Sequence, residues 1–263
     1  MGDINTIKNM LLFAVKNGCK EMHLSVGNLP LLLSNNGDVK HLNGILPADE
    51  ALLDDICKRY MSGDDNALVT MGNLDFLLAK MGTSLVFRYL PLVSPDEDIS
   101  RGLSSVCYSD NGLILVTSDS QELRTFHSYA IGACVTSNRN ITMAVIERNK
   151  LFSLKDMNSK IINIYKPDME LDVLIRITDQ ISYECLMIPD CNTDQALQAA
   201  ANLSHDALII LGTSPELAKG LDRSNVIHTM NISKEGRVSK KMDPELKINS
   251  DVIIKNLRGY RHA

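Results

Sequence analysis

No glycine occurs between Leu113 and Thr125, in a stretch that otherwise reads as an apolar strand running into a helix: Gly112-Leu-Ile-Leu-Val-Thr-Ser-Asp-Ser-Gln-Glu-Leu-Arg-Thr125. A phosphate-binding loop between such a strand and helix reads G-x-x-x-x-G-K-[S/T]. Its glycines let backbone N–H groups turn inward around phosphates, its Lys supplies charge and its hydroxyl holds Mg²⁺. Those positions here carry Ser118, Leu123, Arg124 and Thr125, and Gln121 stands where a further loop glycine is common. Glu122 places a carboxylate where a triphosphate would bring several negative charges. One like-charge pair at about 4 Å costs about 1 kcal/mol in water and about 4 kcal/mol at an effective dielectric near 20. Arg124 offsets one such charge but does not replace a nest of amides. The expectation is weak ATP binding or none; no cofactor is expected, with weak Mg-ATP binding left open.

Other absences narrow the field further. The six cysteines (Cys19, Cys57, Cys107, Cys134, Cys185 and Cys191) include no C-x-x-C pair. Most lie in apolar surroundings, which fits buried thiols in a reducing cytosol. His127 and His205 have no partner at ligand spacing, so no metal site is expected. The formal net charge of −5 leaves no basic footprint, and Lys240-Lys241 and Arg258 to Arg261 read as solvated surface, so no nucleic acid partner is expected. No stretch approaches the roughly 18 apolar residues of a membrane span. The N-terminus lacks the charged start and cleavage site of a signal peptide. The expectation is a cytoplasmic protein without direct membrane insertion, peripheral to a membrane only through partners.

What is present is a chain of 263 residues, 44% hydrophobic, enough for one large domain or two ordinary ones. Ile4, Ile7, Leu11 and Val15 recur at helical spacing and stop at Asn17-Gly18, a C-cap signal. Extended runs follow at Met22 to Val26 and Pro30 to Leu33. The turn signal Asn35-Asn36-Gly37-Asp38 then leads into a strand through Val39 and Leu42. Pro47 to Met61 reads as a helix, and Leu74 to Leu78 and Ser84 to Leu90 as strands. The first hundred residues are therefore α+β with an antiparallel sheet. Ser94-Pro95-Asp96-Glu97-Asp98 suits an exposed linker. Beyond it, apolar runs at 113–117, 141–146, 185–188, 207–211 and 225–230 alternate with helical patterns at about 121–136, 170–181, 193–203 and 214–221. That alternation predicts a mainly parallel, two-sided α/β sheet. The division predicted is 1–93, a linker at 94–101, and 102–263.

Particular residues carry a resemblance. Gly18-Cys-Lys-Glu-Met-His23-Leu-Ser25-Val-Gly27, followed by Pro30 and Gly37-Asp38, is similar to a G-A-S-D-L-H-L-S-x-G…P…G-D signature, with one extra residue before Gly37. Gly82 to Pro91, with Val86-Phe87-Arg88, is similar to the strand that closes a PAS-like domain, and Gly112 to Thr117 matches a strand entering a Walker A loop. In these features the chain resembles the type IV pilus retraction ATPases of the secretion-ATPase superfamily. The resemblance implies a RecA-like mainly parallel sheet domain preceded by a smaller α+β PAS-like domain. Past Thr117 the framework continues while the chemistry departs. Ile146-Glu147 followed by Phe152 resembles the acidic box I-E-D-P-I-E-F, keeping Glu147 but placing Arg148 for the Asp and Leu151 for the second Glu. Glu184-Cys-Leu-Met-Ile-Pro189-Asp190 resembles the Walker B strand D-I-I-L-V-G-E, with Asp190 one methylene shorter than the expected Glu. Pro215 occupies the place of the His in the family's T-L-H-T box.

Between Asp75-Phe76 and Gly82 there is too little chain for the hairpin in which the family carries nucleotide-reaching arginines. After Leu221-Asp222-Arg223 about forty residues follow, too few for the family's helical C-terminal portion. His23 reads as a structural histidine with a satisfied partner. Glu147 and Asp190 read as a carboxylate pair brought together by the resemblance, with Mg²⁺ binding, general-base work or a local salt bridge as its uses. Phosphoryl transfer rests on positioning and electrostatics, and loss of one preorganised group commonly costs about 10²–10³ in rate. The expectation is a catalytically inactive pseudo-ATPase that regulates or scaffolds a pilus or secretion motor. Its partners would be an active motor ATPase or an inner-membrane platform protein, with an oligomer left open. The alternatives are a slow or divergent NTPase and a nucleotide sensor that binds without hydrolysis.

Overall fold

The computed structural model describes residues 4–239 apart from 35, 44, 46, 96, 155–158, 223 and 234–237. Arg223, Lys240-Lys241 and the Arg258 to Arg261 cluster lie outside the described residues. The described chain divides after Pro91 into two compact units.

The first unit opens with α1 (Ile4–Lys16), which buries Ile7, Leu11 and Ala14 on one stripe and stops where Gly18 takes a φ of 70°. β1 (Cys19–Ser25), β2 (Leu31–Ser34), β3 (Val39–His41), α2 (Glu50–Tyr60), β4 (Asn66–Met71), β5 (Leu74–Met81) and β6 (Ser84–Leu90) follow. The strands form one antiparallel sheet in the order β3-β2-β1-β6-β5-β4. β1 alternates, with Met22 and Leu24 buried and Glu21, His23 and Ser25 turned to the other face. Met22, Leu24, Leu78 and Phe87 of the sheet join Ile7, Leu11 and Ile56 of the helices in one core. Asp49 accepts the N–H of Leu52 at 2.8 Å and starts α2.

The second unit contains β7 (Leu92–Val93), α3 (Glu97–Gly102), α4 (Ser104–Cys107), β8 (Gly112–Thr117), α5 (Gln121–Asn138), β9 (Thr142–Glu147), β10 (Ser153–Leu154), β11 (Lys160–Tyr165), α6 (Leu171–Thr178), β12 (Cys185–Cys191), α7 (Asp194–Leu203), β13 (Leu208–Thr213), the 3₁₀ turn Leu217–Gly220, β14 (Val226–Ile232) and β15 (Val238–Ser239). Its main sheet runs β11-β9-β12-β13-β8-β14-β15, parallel through β14, with β15 antiparallel at the edge. β8 and β13 are buried along their whole length, as a parallel strand covered on both faces must be. One face packs Leu113, Leu115, Leu186, Ile188, Ile209 and Leu211 against α6 and α7. The other lies under α5, where a Cβ on Gly132 would meet Met187 Sδ at 2.9 Å.

The α/β class expected from the sequence, a mainly parallel sheet preceded by an antiparallel α+β unit, is the fold observed. The stretch 94–101, expected as an exposed linker, is exposed at Ser94, Pro95 and Glu97 but runs into the packed part of the second unit. β7 pairs with β10, α3 packs on α5, and Ile99 and Leu103 are fully buried, so this segment belongs to the second unit. The helix expected over 214–221 is only the 3₁₀ turn. Among the described residues no helix is long and apolar enough to cross a membrane.

Candidate functional site

The carboxyl ends of β8, β12 and β9 bring the predicted positions together. Only Ser118, Asp119 and Ser120 connect β8 to α5. The Ser118 N–H donates to the Thr213 carbonyl at 3.2 Å, and the Ser118 hydroxyl accepts the Ser120 N–H at 3.2 Å. Ser120 caps the helix by accepting the Leu123 N–H at 3.3 Å. Gln121, Glu122 and Leu123 are therefore helical, and among the described residues none after Gly112 has a positive φ. A phosphate nest needs backbone in the left-handed region, which this connection does not use.

Arg124 points back over that connection. Its Nε and Nη2 reach Asp190 Oδ1 at 2.7 and 2.5 Å, and its Nη1 donates to the carbonyls of Ser118 at 3.2 Å and Asp119 at 3.5 Å. Gln121 Nε2 donates to the other carboxylate oxygen, Oδ2, at 2.6 Å. Both oxygens of Asp190 are thus occupied by α5, and the ion pair is mostly buried, its side chains 11% and 22% exposed. Asp190 is presented by an irregularity in β12, whose register against β13 shifts between Ile188 and Cys191. Pro189 has no N–H for the ladder. Its carbonyl oxygen would lie 2.0 Å from any Cβ on Gly212, a close approach only glycine permits.

A second network lies beside the first. Glu147, at the end of β9, is buried, and its Oε2 accepts the Tyr129 hydroxyl at 2.7 Å and Lys150 Nζ at 2.5 Å. Lys150 also donates to Tyr129 Oη at 2.6 Å and Asn163 Oδ1 at 2.8 Å. Burial pushes the Glu147 carboxyl above its ordinary range despite the ammonium beside it. Burial and the neighbouring carboxylate hold the Tyr129 phenol well above its own. Glu147 Oε1 and the buried Thr125 Oγ1 have no hydrogen-bond partner. Both residues line a small polar pocket of about 180 Å³ together with Gln121, Arg148, Asn149 and Asp190.

Of the predicted positions, Ser118, Gln121, Arg124 and Asp190 are joined by hydrogen bonds, and Thr125, Glu147 and Arg148 share the pocket with Gln121 and Asp190. Arg148 also binds the Pro167 carbonyl at 3.2 Å. Glu122 is exposed on the first helical turn, and neither it nor Leu123 lines the pocket. Pro215 is exposed on the turn after β13, also outside it. Sequence reasoning missed Lys150, Tyr129 and Asn163. The one available signal was Lys150 three residues after Glu147. Cys185 and Cys191 are buried, and burial pushes the Cys191 thiol up to about 12. His23 Nε2 lies 3.0 Å from Glu21, which Arg88 also binds at 3.0 Å, so the histidine does have a partner.

An antiparallel-sheet unit followed by a two-sided, mainly parallel sheet with a strand-to-helix turn at its centre is a two-domain fold that this chain shares with solved structures of a pilus retraction motor and two ATPases. The pilus retraction motor PilT bound to ADP superposes with a TM-score of 0.57 at 14% identity, over 86% of this chain and 77% of its own. The ATPase DotB of Legionella pneumophila gives 0.58 at 11% identity over 97% and 87%, and DotB of Yersinia pseudotuberculosis gives 0.54 at 12% over 100% and 87%. At these identities the likeness is one of fold. No protein-family model and no curated protein matches the sequence.

Proposed function

We propose that this chain is a catalytically inactive relative of the pilus retraction ATPases, a pseudo-ATPase that works through protein contacts. The observation that carries the reading is the internal occupation of the nucleotide position. Arg124, which stands for the phosphate-binding Lys, is spent on Asp190, which stands for the Walker B Glu, and Gln121 takes the remaining carboxylate oxygen. The residues present do not fit Mg-ATP. The loop has become a capped helix start, and the pocket beside it, at about 180 Å³, is small and polar. Glu147, the one carboxylate kept from the acidic box, is engaged by Lys150. Losses in residues that act as a unit do not multiply, but any one of them suffices to make hydrolysis slow.

The fold likeness to a pilus retraction motor suggests the setting: the cytoplasmic base of a type IV pilus or related secretion machine, with an active motor ATPase or a platform protein as partner. Calorimetric titration with Mg-ATP and a non-hydrolysable analogue, at concentrations that detect millimolar affinity, is expected to give no saturable binding. Saturable binding would overturn the reading. A nucleotide sensor or slow NTPase is the second reading, favoured only by the unpartnered oxygens of Thr125 and Glu147 on the pocket wall. Should any affinity or turnover be measured, its loss in Arg124→Ala would support that second reading.

A further inference from the structure

Thr125 and Glu147 hold two oxygens that the ion pairs around them leave unused. Glu147 and Asp190 have four carboxylate oxygens between them, and three have donors. Asp190 Oδ1 takes Arg124, Asp190 Oδ2 takes Gln121, and Glu147 Oε2 takes Tyr129 and Lys150. Glu147 Oε1 has no donor, and Thr125 Oγ1 has no partner either. Both residues are buried, Thr125 1% and Glu147 6% exposed, and both line the pocket of about 180 Å³. Thr125 stands one helical turn after Gln121 on α5, so the two present one face of the helix to that space. A buried carboxylate oxygen without a donor is costlier than a neutral group in the same place. The carboxyl registers that cost, since burial raises it above its ordinary range even with the Lys150 ammonium beside it.

The wall decides what can satisfy both oxygens. Glu147 and Asp190 border the space, whereas Arg124 and Lys150, which neutralise them, do not. Arg148 does border it, but its side chain is 39% exposed and is engaged by the Pro167 carbonyl and Glu170. An anion would therefore meet carboxylates first. A nucleotide is too large, since sites for drug-sized ligands run to about 300–1,000 Å³. Among the described residues no group of three His, Cys, Asp or Glu side chains could hold a metal ion. A small donor of N–H groups is left. A protonated primary amine brings three of them with a positive charge, enough for Glu147 Oε1, Thr125 Oγ1 and one amide oxygen of the wall such as that of Gln121.

We propose that this pocket, with Glu147 Oε1 and Thr125 Oγ1 as its anchoring oxygens, binds a small primary ammonium cation of a few heavy atoms. The inference goes beyond the proposed function and rests on it in one respect, that no nucleotide occupies the position.

The test uses the full chain with methylammonium chloride as the probe, followed by calorimetry and thermal unfolding at constant ionic strength and at concentrations that detect millimolar affinity. Tetramethylammonium carries the same charge without an N–H, acetamide offers N–H groups without the charge, and magnesium chloride supplies a hard cation. Saturable binding of methylammonium alone is expected. Thr125→Val keeps the shape and removes the hydroxyl, and Glu147→Gln keeps the shape and removes the charge. Each, confirmed folded by circular dichroism, is expected to weaken binding about tenfold. If Glu147→Gln does not fold, Thr125→Val decides alone. Equal binding of tetramethylammonium would overturn the proposal, as would saturation by acetamide or Mg²⁺ in place of methylammonium, or affinity unchanged in the folded variants. So would no response to any probe, because water would then serve both oxygens. Saturable binding of Mg-ATP would count against the proposed function, whereas failure of methylammonium to bind would remove only this inference, so the two outcomes are distinguishable.

Discussion

Arg124 lies on the first turn of α5, and its partners are all internal: one carboxylate and two backbone carbonyls. Asp190→Ala removes the carboxylate and leaves a largely buried guanidinium with the carbonyls alone. With the pair partly open to solvent, the expected loss is about 1–3 kcal/mol, read by urea unfolding. Lys150 is the deeper case, its side chain 3% exposed against 4% for Glu147. Lys150→Met is expected to cost about 3–5 kcal/mol, because it strands a buried carboxylate. The pH dependence has a definite sign. The folded Glu147 carboxyl is raised above its ordinary value of 4.5, so its contribution is fully present below that value and is lost as pH rises through the folded pKa. The Lys150→Met penalty should therefore shrink on acidification, as Glu147 takes up a proton. A penalty equal at pH 4 and pH 7 would mean that the carboxyl is not what Lys150 neutralises.

The turn from β8 into α5 depends on the Ser120 cap and on the close approach that Gly212 permits. Ser120→Ala deletes the helix cap and is expected to cost about 1 kcal/mol. Gly212→Ala drives a Cβ to 2.0 Å from the Pro189 carbonyl oxygen, and neither backbone can give way without moving Asp190. A loss at or above about 3 kcal/mol is expected in thermal unfolding, beyond the usual range of overpacking. These elements also show what was legible beforehand. β8, β12 and β13 announced themselves as unbroken apolar runs, and a helix start at 121 followed from the pattern after Ser120. α3 did not, because the polar run 94–98 reads as a linker, although Ile99 and Leu103 sit four apart as a buried helical pair does. β11 was missed because Asn163 interrupts its apolar run and an edge strand is buried only in part. The Tyr129, Lys150 and Asn163 network was hidden for a different reason. Its members come from α5, the turn after β9 and β11, and only the closed sheet brings them within reach of Glu147.

Ionisable groups sunk in the cores set how the protein responds to alkali. Burial pushes the thiols of Cys107 and Cys191 from 9.0 up to about 12, raises Cys185 further and raises Cys19, and it holds the Tyr129 phenol well above 10.0. A folded pKa raised above the unfolded one gives stability that is intact below the unfolded value and is lost as pH rises toward the folded one. Stability in urea should thus hold to about pH 9 and decline between there and about pH 12. Thiol chemistry gives an independent measure of the same burial, since the thiolate is the reacting species. Cys19, Cys107, Cys134, Cys185 and Cys191 are buried and Cys57 is partly exposed. At pH 8 a disulfide reagent should label Cys57 promptly and the other five only as fast as the chain opens. Four of those five lie in the second unit and Cys19 in the first, so mapping the labelled cysteines against time in mild urea separates the opening of each unit. Coincident labelling of Cys19 and the other four would show that the units open as one. Prompt labelling of Cys185 or Cys191 in the native protein would mean that the core beneath Asp190 is accessible, and would contradict the closed strand-to-helix turn described above.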